Sequence, residues 1–274
     1  MNKSFTEQYR DVLKDILDNG AYHKTGHREA TRRIRGFQMT VTETSNGLIP
    51  MNTLRKNPIG GTLREFEQFR DQKLNVKDFG KSGFNTYGLW DKQVDDAVKA
   101  DQDTLVVPYW WEFDAQFKNI IKKYNKDSFS RKLIFSNMPH FMDSCLTACW
   151  SQLTFQKKSC GRVDVIMTLN STDAFIGMPA DTATAALILI LFCKTVDAKP
   201  GNVVLKFNDL HIYERHLAEA ERMIKEDIKH QSPSYWLRPG TDLFNYSALN
   251  KDLTYMYKYN SGEYDTSFSQ PEDL

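Results

Sequence analysis

The segment from Ala183 to Val196 is apolar on nearly every side. A helix of that composition is satisfied only when its middle is buried, so the rest of the chain has to be arranged around it. Its longest uninterrupted apolar run, Ala185 to Cys193, is closed by Lys194 and falls well short of the ~20 residues that a bilayer crossing needs. Material to surround it is available: 41% of the 274 residues are hydrophobic, enough for a substantial core. No internal repeat, low-complexity block or linker divides the sequence, and a single domain over residues 1–274 is expected.

Charge excludes several classes of partner. Lys plus Arg (36) against Asp plus Glu (35) leaves a formal charge of +1, so no global field draws the protein to nucleic acid or to a membrane. Any anion it binds must be held by a local cluster. The first residues, Met1 to Glu7, carry no apolar stretch of the kind a secretion signal needs, and a cytoplasmic location is expected. Cys145, Cys149, Cys160 and Cys193 form no Cys-x-x-Cys pair and are too few for a disulfide scaffold, so they read as free thiols in a reducing compartment.

Phe5, Tyr9, Val12, Leu13, Ile16 and Leu17 recur at helical spacing, with Gly20 as a stop. A basic run, Arg28, Arg32, Arg33 and Arg35, leads into a strand over Gly36 to Val41, and residues 43–62 read as loop. Helices are expected over Leu63 to Gln72 and Phe113 to Tyr124, with 73–110 irregular between them. Lys132 to Asn137, Leu146 to Phe155 and Val163 to Leu169 are strand-like with no long helix between them. This favours antiparallel or mixed pairing over a doubly wound parallel sheet. A short strand, Val203 to Phe207, and a surface helix, Arg215 to Ile228, follow. The fold class is α+β, a mixed sheet flanked by helices.

A reactive cysteine needs donor or cationic groups nearby, and without them a lone cysteine in a strand is a small core hydrophobe. Beyond Cys149 the chain carries Asp173, Asp181 and Asp209, each flanking an apolar segment either as a helix cap or as a ligand group. His211 and Tyr213 are two apart in an extended segment and so share a face, as structural or as site residues. His23 and His27 straddle Thr25-Gly26, which argues against a helical metal pair, and no metal site is expected. No glycine-rich phosphate loop is present, which counts against a nucleoside triphosphatase or a dinucleotide enzyme. Lys24, beside the Thr-Gly turn, and Arg131-Lys132, at a strand start, are either phosphate ligands or solvated charge.

Taken together over roughly residues 5–220, these motifs resemble the thymidylate synthase superfamily, and within it the deoxycytidylate hydroxymethylase branch of T-even phages. Lys24-Thr25-Gly26 and Gly36-Phe37-Gln38-Met39 are similar to the family's phosphate-loop region. Arg64-Glu65-Phe66-Glu67-Gln68-Phe69 matches the helix carrying its catalytic glutamate, which falls on Glu65. Ser130-Arg131-Lys132 matches the Ser-Arg-Arg that a dimer partner offers to phosphate. Leu146-Thr147-Ala148-Cys149-Trp150 is the nucleophile segment, and Cys149 is preferred to its rival Cys145 because its distance to Asp173 is within one residue of the family spacing. Asp173 to Asp181 follows Asp-x-Phe-x-Gly-x-Pro-x-Asn, and Asp209 to Tyr213 follows Asp-x-His-x-Tyr.

The resemblance implies a thymidylate synthase-like fold with sheet-to-sheet homodimerisation, and 5,10-methylenetetrahydrofolate held by Trp90, Tyr109 and Asp173. It implies a pyrimidine nucleotide bound by Lys24, Ser171, Asp173, His211 and Tyr213, with Arg131 and Lys132 supplied by a second subunit. Four positions depart from the family. Asp181 replaces the pyrimidine-selecting asparagine, as in cytosine-specific members; a carboxylate accepts from the amine of cytosine and is repelled by the carbonyl of uracil. Trp150 and Thr154 replace a histidine and a glutamine. Asn170 replaces an arginine that binds phosphate and approaches the cysteine, with Arg28 and Arg162 as candidates to substitute for it. The implied reaction is hydroxymethylation of dCMP at C5 through a Cys149 adduct at C6, with Glu65 organising water and Asp181 selecting the base. The alternatives are C5-methylation of dCMP or CMP, action on dUMP, or a nucleotide-binding paralogue without turnover.

Overall fold

The computed structural model describes residues 3–24, 29–55, 62, 65–67, 70–71, 109–137, 147–229, 232, 234–247 and 254–257. In chain order these form helix α1 (Phe5–Asn19), strands β1 (Ala21–His23) and β2 (Thr31–Val41), and helix α2 (Phe113–Lys126). Strands β3 (Ile134–Ser136), β4 (Trp150–Lys157), β5 (Arg162–Leu169) and β6 (Thr172–Asp173) follow. Helix α3 (Gly177–Thr195), strand β7 (Lys199–Tyr213) and helix α4 (Leu217–Met223) come next. Residues 62, 65–67 and 70 are helical, and β8 (Ser234–Leu237) pairs antiparallel with β9 (Thr254–Tyr257).

α1 opens on a capping box in which the Ser4 hydroxyl accepts from the Glu7 amide and the Glu7 carboxylate accepts from the Ser4 amide. Two donors that a helix start leaves orphaned are thereby satisfied. The helix ends at Gly20, whose amide donates to the Ile16 carbonyl. A Cβ on Gly20 would collide with that same oxygen, so close approach, and not a left-handed backbone, demands glycine here.

Among the described residues the main sheet runs β1-β2-β7-β5-β4-β3, with β6 beside the second half of β7. β2 and β7, β4 and β5, and β3 and β4 pair antiparallel, whereas β5 and β6 run parallel to β7. The sheet is mixed, as expected. Met39, Val41, Leu153, Phe155, Val165, Met167, Val203, Leu205 and Phe207 are buried on the face that joins the core. The alternating residues of the other face, such as Gln38, Thr40, Thr154, Ile166, Thr168 and Lys206, are half-buried or exposed.

α3 lies where the apolar segment placed it, with Ala185 to Leu189 no more than 1% exposed. It is long and apolar enough by composition to cross a bilayer, yet it packs on β5 and β7 inside the protein. It begins earlier than expected, at Gly177, which brings Pro179 and Asp181 into its first turns. Two strands also exceed the expectation. β7 continues through Tyr213 and β2 starts at Thr31, because their polar halves pair with each other from Thr31–Tyr213 to Arg35–Asp209. The helix expected over Arg215 to Ile228 shrinks to Leu217–Met223 behind a 3-10 turn, Glu214–His216, since residues 224–229 offer no fully buried side chain to anchor further turns.

Candidate active site

Cys149 immediately precedes β4, at a point where the register between β4 and β5 shifts between Trp150 and Gln152. Irregularities of this kind bend a strand and re-aim its side chains. The cysteine's peptide is held from both sides. Its amide donates to the Tyr109 hydroxyl at 3.0 Å, and its carbonyl accepts from the amides of Asn170 (2.6 Å) and Ser171 (3.3 Å). Asn170 also donates from Nδ2 to the Ala148 carbonyl (3.4 Å), so the side chain at the expected arginine position fastens the segment that carries Cys149.

Tyr109 is fixed by the stacking of its ring on Trp150, 5.7 Å between centroids at 9°. Trp150 packs in turn against Trp110 and Phe135. Trp150 is therefore the aromatic wall behind Tyr109. Asn137 completes the support, accepting from the Trp110 amide and donating to the Trp150 carbonyl.

The charges of three carboxyl groups, on Asp181, Glu65 and Asp173, are felt at the Cys149 thiol. Burial pushes the Cys149 thiol up to about 11; the charges of Asp181, Glu65 and Asp173 push the same way, and a hydrogen bond from Tyr109 opposes them. Burial first, then Glu65 and Asp173, raise the Asp181 carboxyl to about 8. Burial, Cys149 and Asp181 hold the Tyr109 phenol well above its ordinary value, and burial with Asp173 and Cys149 pushes Tyr213 up to about 12. These mutual influences place Cys149, Tyr109, Glu65, Asp173, Asp181 and Tyr213 around one space. At neutral pH it presents a protonated thiol and a mostly protonated Asp181.

Asp173 sits on β6 in register with His211 on β7, and the Ala174 amide donates to the His211 carbonyl at 2.7 Å. The Asp173 carboxylate accepts from the Phe175 amide, closing a turn whose Phe175 carbonyl accepts from both the Tyr9 hydroxyl (2.9 Å) and the Arg55 guanidinium (2.6 Å). His216, fully buried, stacks on Phe175 and brings Nδ1 to 4.0 Å from Asp173 Oδ2. The rings of His211 and Tyr213 meet edge to face at 5.0 Å, on one face as expected. A Cβ on Gly177 would lie in ordinary contact with Asp173 Cβ (3.8 Å) and Asp181 Oδ2 (4.0 Å), which places the start of α3 between those two residues.

None of the three aspartates caps a helix. Asp173 serves a turn, Asp181 lies within the first turns of α3, and Asp209 lies inside β7 bonded to His211. Ser171 is exposed, and its amide donates to the Cys149 carbonyl. Lys24 follows β1, whose His23 pairs with Thr31 and, across it, with Tyr213, so Lys24 lies at the site's end of the sheet. Arg131 and Lys132 are exposed before β3, on the side of Lys157 and away from Cys149, and this chain does not bring them to its own site. Arg162 begins β5 at the end opposite Asn170 and donates to the carbonyls of Ser45 and Pro200, so it cannot replace the missing arginine. Trp90, Cys145, Thr25, Gly26, His27 and Arg28 lie outside the described residues.

Cys149, Cys160 and Cys193 are free thiols, and no group of side chains suited to a metal ion occurs among the described residues. Sequence reasoning missed Tyr9, Arg55, Asn137 and His216. Arg55 lies in a loop without periodicity and Tyr9 is already accounted for by the helix pattern, whereas His216 stands at the end of the Asp-x-His-x-Tyr segment and could have been flagged there.

The raised Asp181 carboxyl has a consequence for stability. Its folded value, about 8, exceeds its ordinary value of 3.8, so the folded state holds a proton that the unfolded chain releases between those limits. Stability therefore falls as pH rises from about 4 to about 8. Asp181→Asn, which mimics the neutral acid, is expected to match the parent near pH 4 and to exceed its Tm by roughly 5 to 10 °C at pH 8. Calorimetry at the two pH values checks this, and a gain that does not grow with pH would contradict it.

Comparison with known families matches residues 7–263 to Thymidylate synthase. Among solved structures, the thermostable thymidylate synthase A from Bacillus subtilis is similar, with a TM-score of 0.77 at 18% identity. The match covers 95% of this chain and 97% of that one.

Proposed function

Because the chain belongs to the thymidylate synthase family, whose members are one-carbon transferases, we propose that it hydroxymethylates dCMP at C5 to give 5-hydroxymethyl-dCMP. What supports the choice of base is Asp181, which the motif match puts at the pyrimidine-selecting position and whose charge acts on the Cys149 thiol. Once ionised, its carboxylate accepts from the exocyclic amine of cytosine, whereas against uracil its acceptor oxygens would meet another acceptor.

C5 of a pyrimidine is a poor nucleophile until C6 is attacked. In this reading Cys149 passes its proton through water to the Glu65 carboxylate and its sulfur adds to C6, which turns C5 into a carbanion equivalent. Tyr109, donating to the sulfur and accepting from the cysteine amide, orients that attack. When bound, 5,10-methylenetetrahydrofolate supplies the electrophilic one-carbon unit. The Asp173 carboxylate, an acceptor toward the Phe175 amide, keeps further lone pairs that suit a ring bearing N–H donors, and Asp173, Tyr109 and Trp90 are the residues assigned to hold it. Glu65 holds water and moves protons near C5, work worth about 10² to 10⁴ in rate. His211 and Tyr213 take the sugar hydroxyl, and Ser171 and Lys24 the phosphate side.

The polar face of the sheet is assigned to a second copy in a homodimer, which would carry its Arg131 and Lys132 to the phosphate and make good the loss at Asn170. Residues 1–274 would act as one domain on a free nucleotide in the cytoplasm, as in a phage that marks its cytosines, with neither membrane nor direct nucleic-acid contact. Release of tritium from C5-labelled dCMP in the presence of methylenetetrahydrofolate tests this. Release from dCMP but not from dUMP is expected; equal release from both would remove the role of Asp181.

A further inference from the structure

His211 is held by more than its strand. Its Nδ1 lies 3.0 Å from Asp209 Oδ1, two residues back on the same face of β7. The second oxygen of that carboxylate accepts from Arg33 at 3.2 Å, with Arg35 Nε at 3.9 Å, both on the neighbouring strand β2. Arg33 is itself tied to the Thr31 hydroxyl. The hydrogen bond to His211 first, then Arg33, hold the Asp209 carboxyl below its ordinary value, so it is an acceptor on both oxygens. His211 is only 10% exposed and its ring packs against Tyr213, which leaves the imidazole little freedom to turn over.

An acceptor at Nδ1 dictates which nitrogen of a neutral imidazole carries the proton. We propose that Asp209, anchored by Arg33, is a positioning residue that fixes His211 as the Nδ1–H tautomer. Nε2 is left as an acceptor that demands a hydrogen-bond donor, the 3′-hydroxyl, on the sugar of the bound nucleotide. The selection of a free hydroxyl is then built into the β2–β7 pair and is not a property of His211 alone. This rests on the nucleotide reading above for its ligand, but the tautomer itself does not.

Asp209→Asn is the informative change. Arg33 only donates, so it draws the oxygen of the new amide toward itself and turns the NH2 group toward His211 Nδ1. The ring then becomes the Nε2–H tautomer, a donor toward the sugar. Two measurements on the full chain test this. Long-range proton–nitrogen correlation on histidine-labelled protein at about pH 8, where imidazoles are neutral, reads the tautomer, with His211→Gln assigning the signal. Nδ1–H in the parent and Nε2–H in Asp209→Asn are expected, and Nε2–H in the parent would overturn the proposal without any ligand being involved.

Calorimetric binding of dCMP is then compared with its analogue bearing fluorine in place of the 3′-hydroxyl, which can accept but not donate. The parent is expected to bind the analogue roughly ten- to a hundredfold more weakly, and Asp209→Asn to narrow that gap to within a few-fold. An unchanged gap in Asp209→Asn would remove the positioning role. Failure of the parent to bind any pyrimidine nucleotide would instead overturn the nucleotide reading, with the tautomer judged by its own spectrum.

Discussion

Replacing Cys149 with alanine is expected to lower turnover by at least about 10⁴-fold while leaving nucleotide affinity within a few-fold of the parent. The effect is large because every later step depends on C5 becoming nucleophilic, and only addition at C6 achieves that. Affinity survives because the sulfur is one of many contacts and its peptide, held by Tyr109, Asn170 and Ser171, does not depend on the side chain. The high value of the thiol, about 11, sharpens the test: the nucleophile rests protonated, so Cys149 is not expected to react fast with alkylating agents at neutral pH in the absence of substrate. Product formation and binding measured on the same preparation check the prediction. An unchanged product yield would move the nucleophile elsewhere, with Cys145 the first candidate.

The second large effect is expected at Asp181. Asp181→Asn presents an amide that can donate to the uracil carbonyl, and it removes the carboxylate, formed on ionisation of Asp181, that suits the cytosine amine. Turnover of dCMP is expected to fall about 10²- to 10³-fold while dUMP becomes the better substrate, since a buried polar group left facing a like partner forfeits on the order of 3 kcal/mol. Rates with both nucleotides before and after the substitution decide it. An unaltered preference would mean that the base is read by other groups, whatever the consequence of Asp181→Asn for stability.

The parts of this protein legible in the sequence are those in which one residue's environment is set by its near neighbours along the chain. α3 announces itself because a helix apolar on every side has only one place to go, and α1 because its buried stripe repeats with the helical period. The alternation of β4 and β5 reveals their core faces in the same manner. β7 is legible in two pieces, since Val203 to Phe207 alternates and Leu210 and Ile212 alternate with Asp209, His211 and Tyr213, but their union into one strand shows only once β2 and β6, distant in sequence, pair with it. The same blindness makes Asp209 look like a cap, since its partners His211 and Arg33 declare themselves only once β2 and β7 are paired.

The candidate site divides along the same line. Cys149, Asp173, Asp181, His211 and Tyr213 are visible because their motifs are compact, and the structure draws them together with Glu65 and Tyr109. What the sequence could not supply is the support behind them. The stack of Tyr109 on Trp150, the double grip of Tyr9 and Arg55 on the Phe175 carbonyl, and the buried His216 behind Asp173 all join segments far apart in the chain. Nor could it show that Arg162 points away from the site, at the opposite end of β5.

The central claim is the identity of the product, and mass spectrometry of dCMP, CMP and dUMP incubated separately with the protein and methylenetetrahydrofolate tests it most directly. The account predicts that dCMP alone gains the mass of CH2O, the signature of water completing the transfer. A gain of CH2 on dCMP, or any gain on dUMP in preference to dCMP, would contradict it.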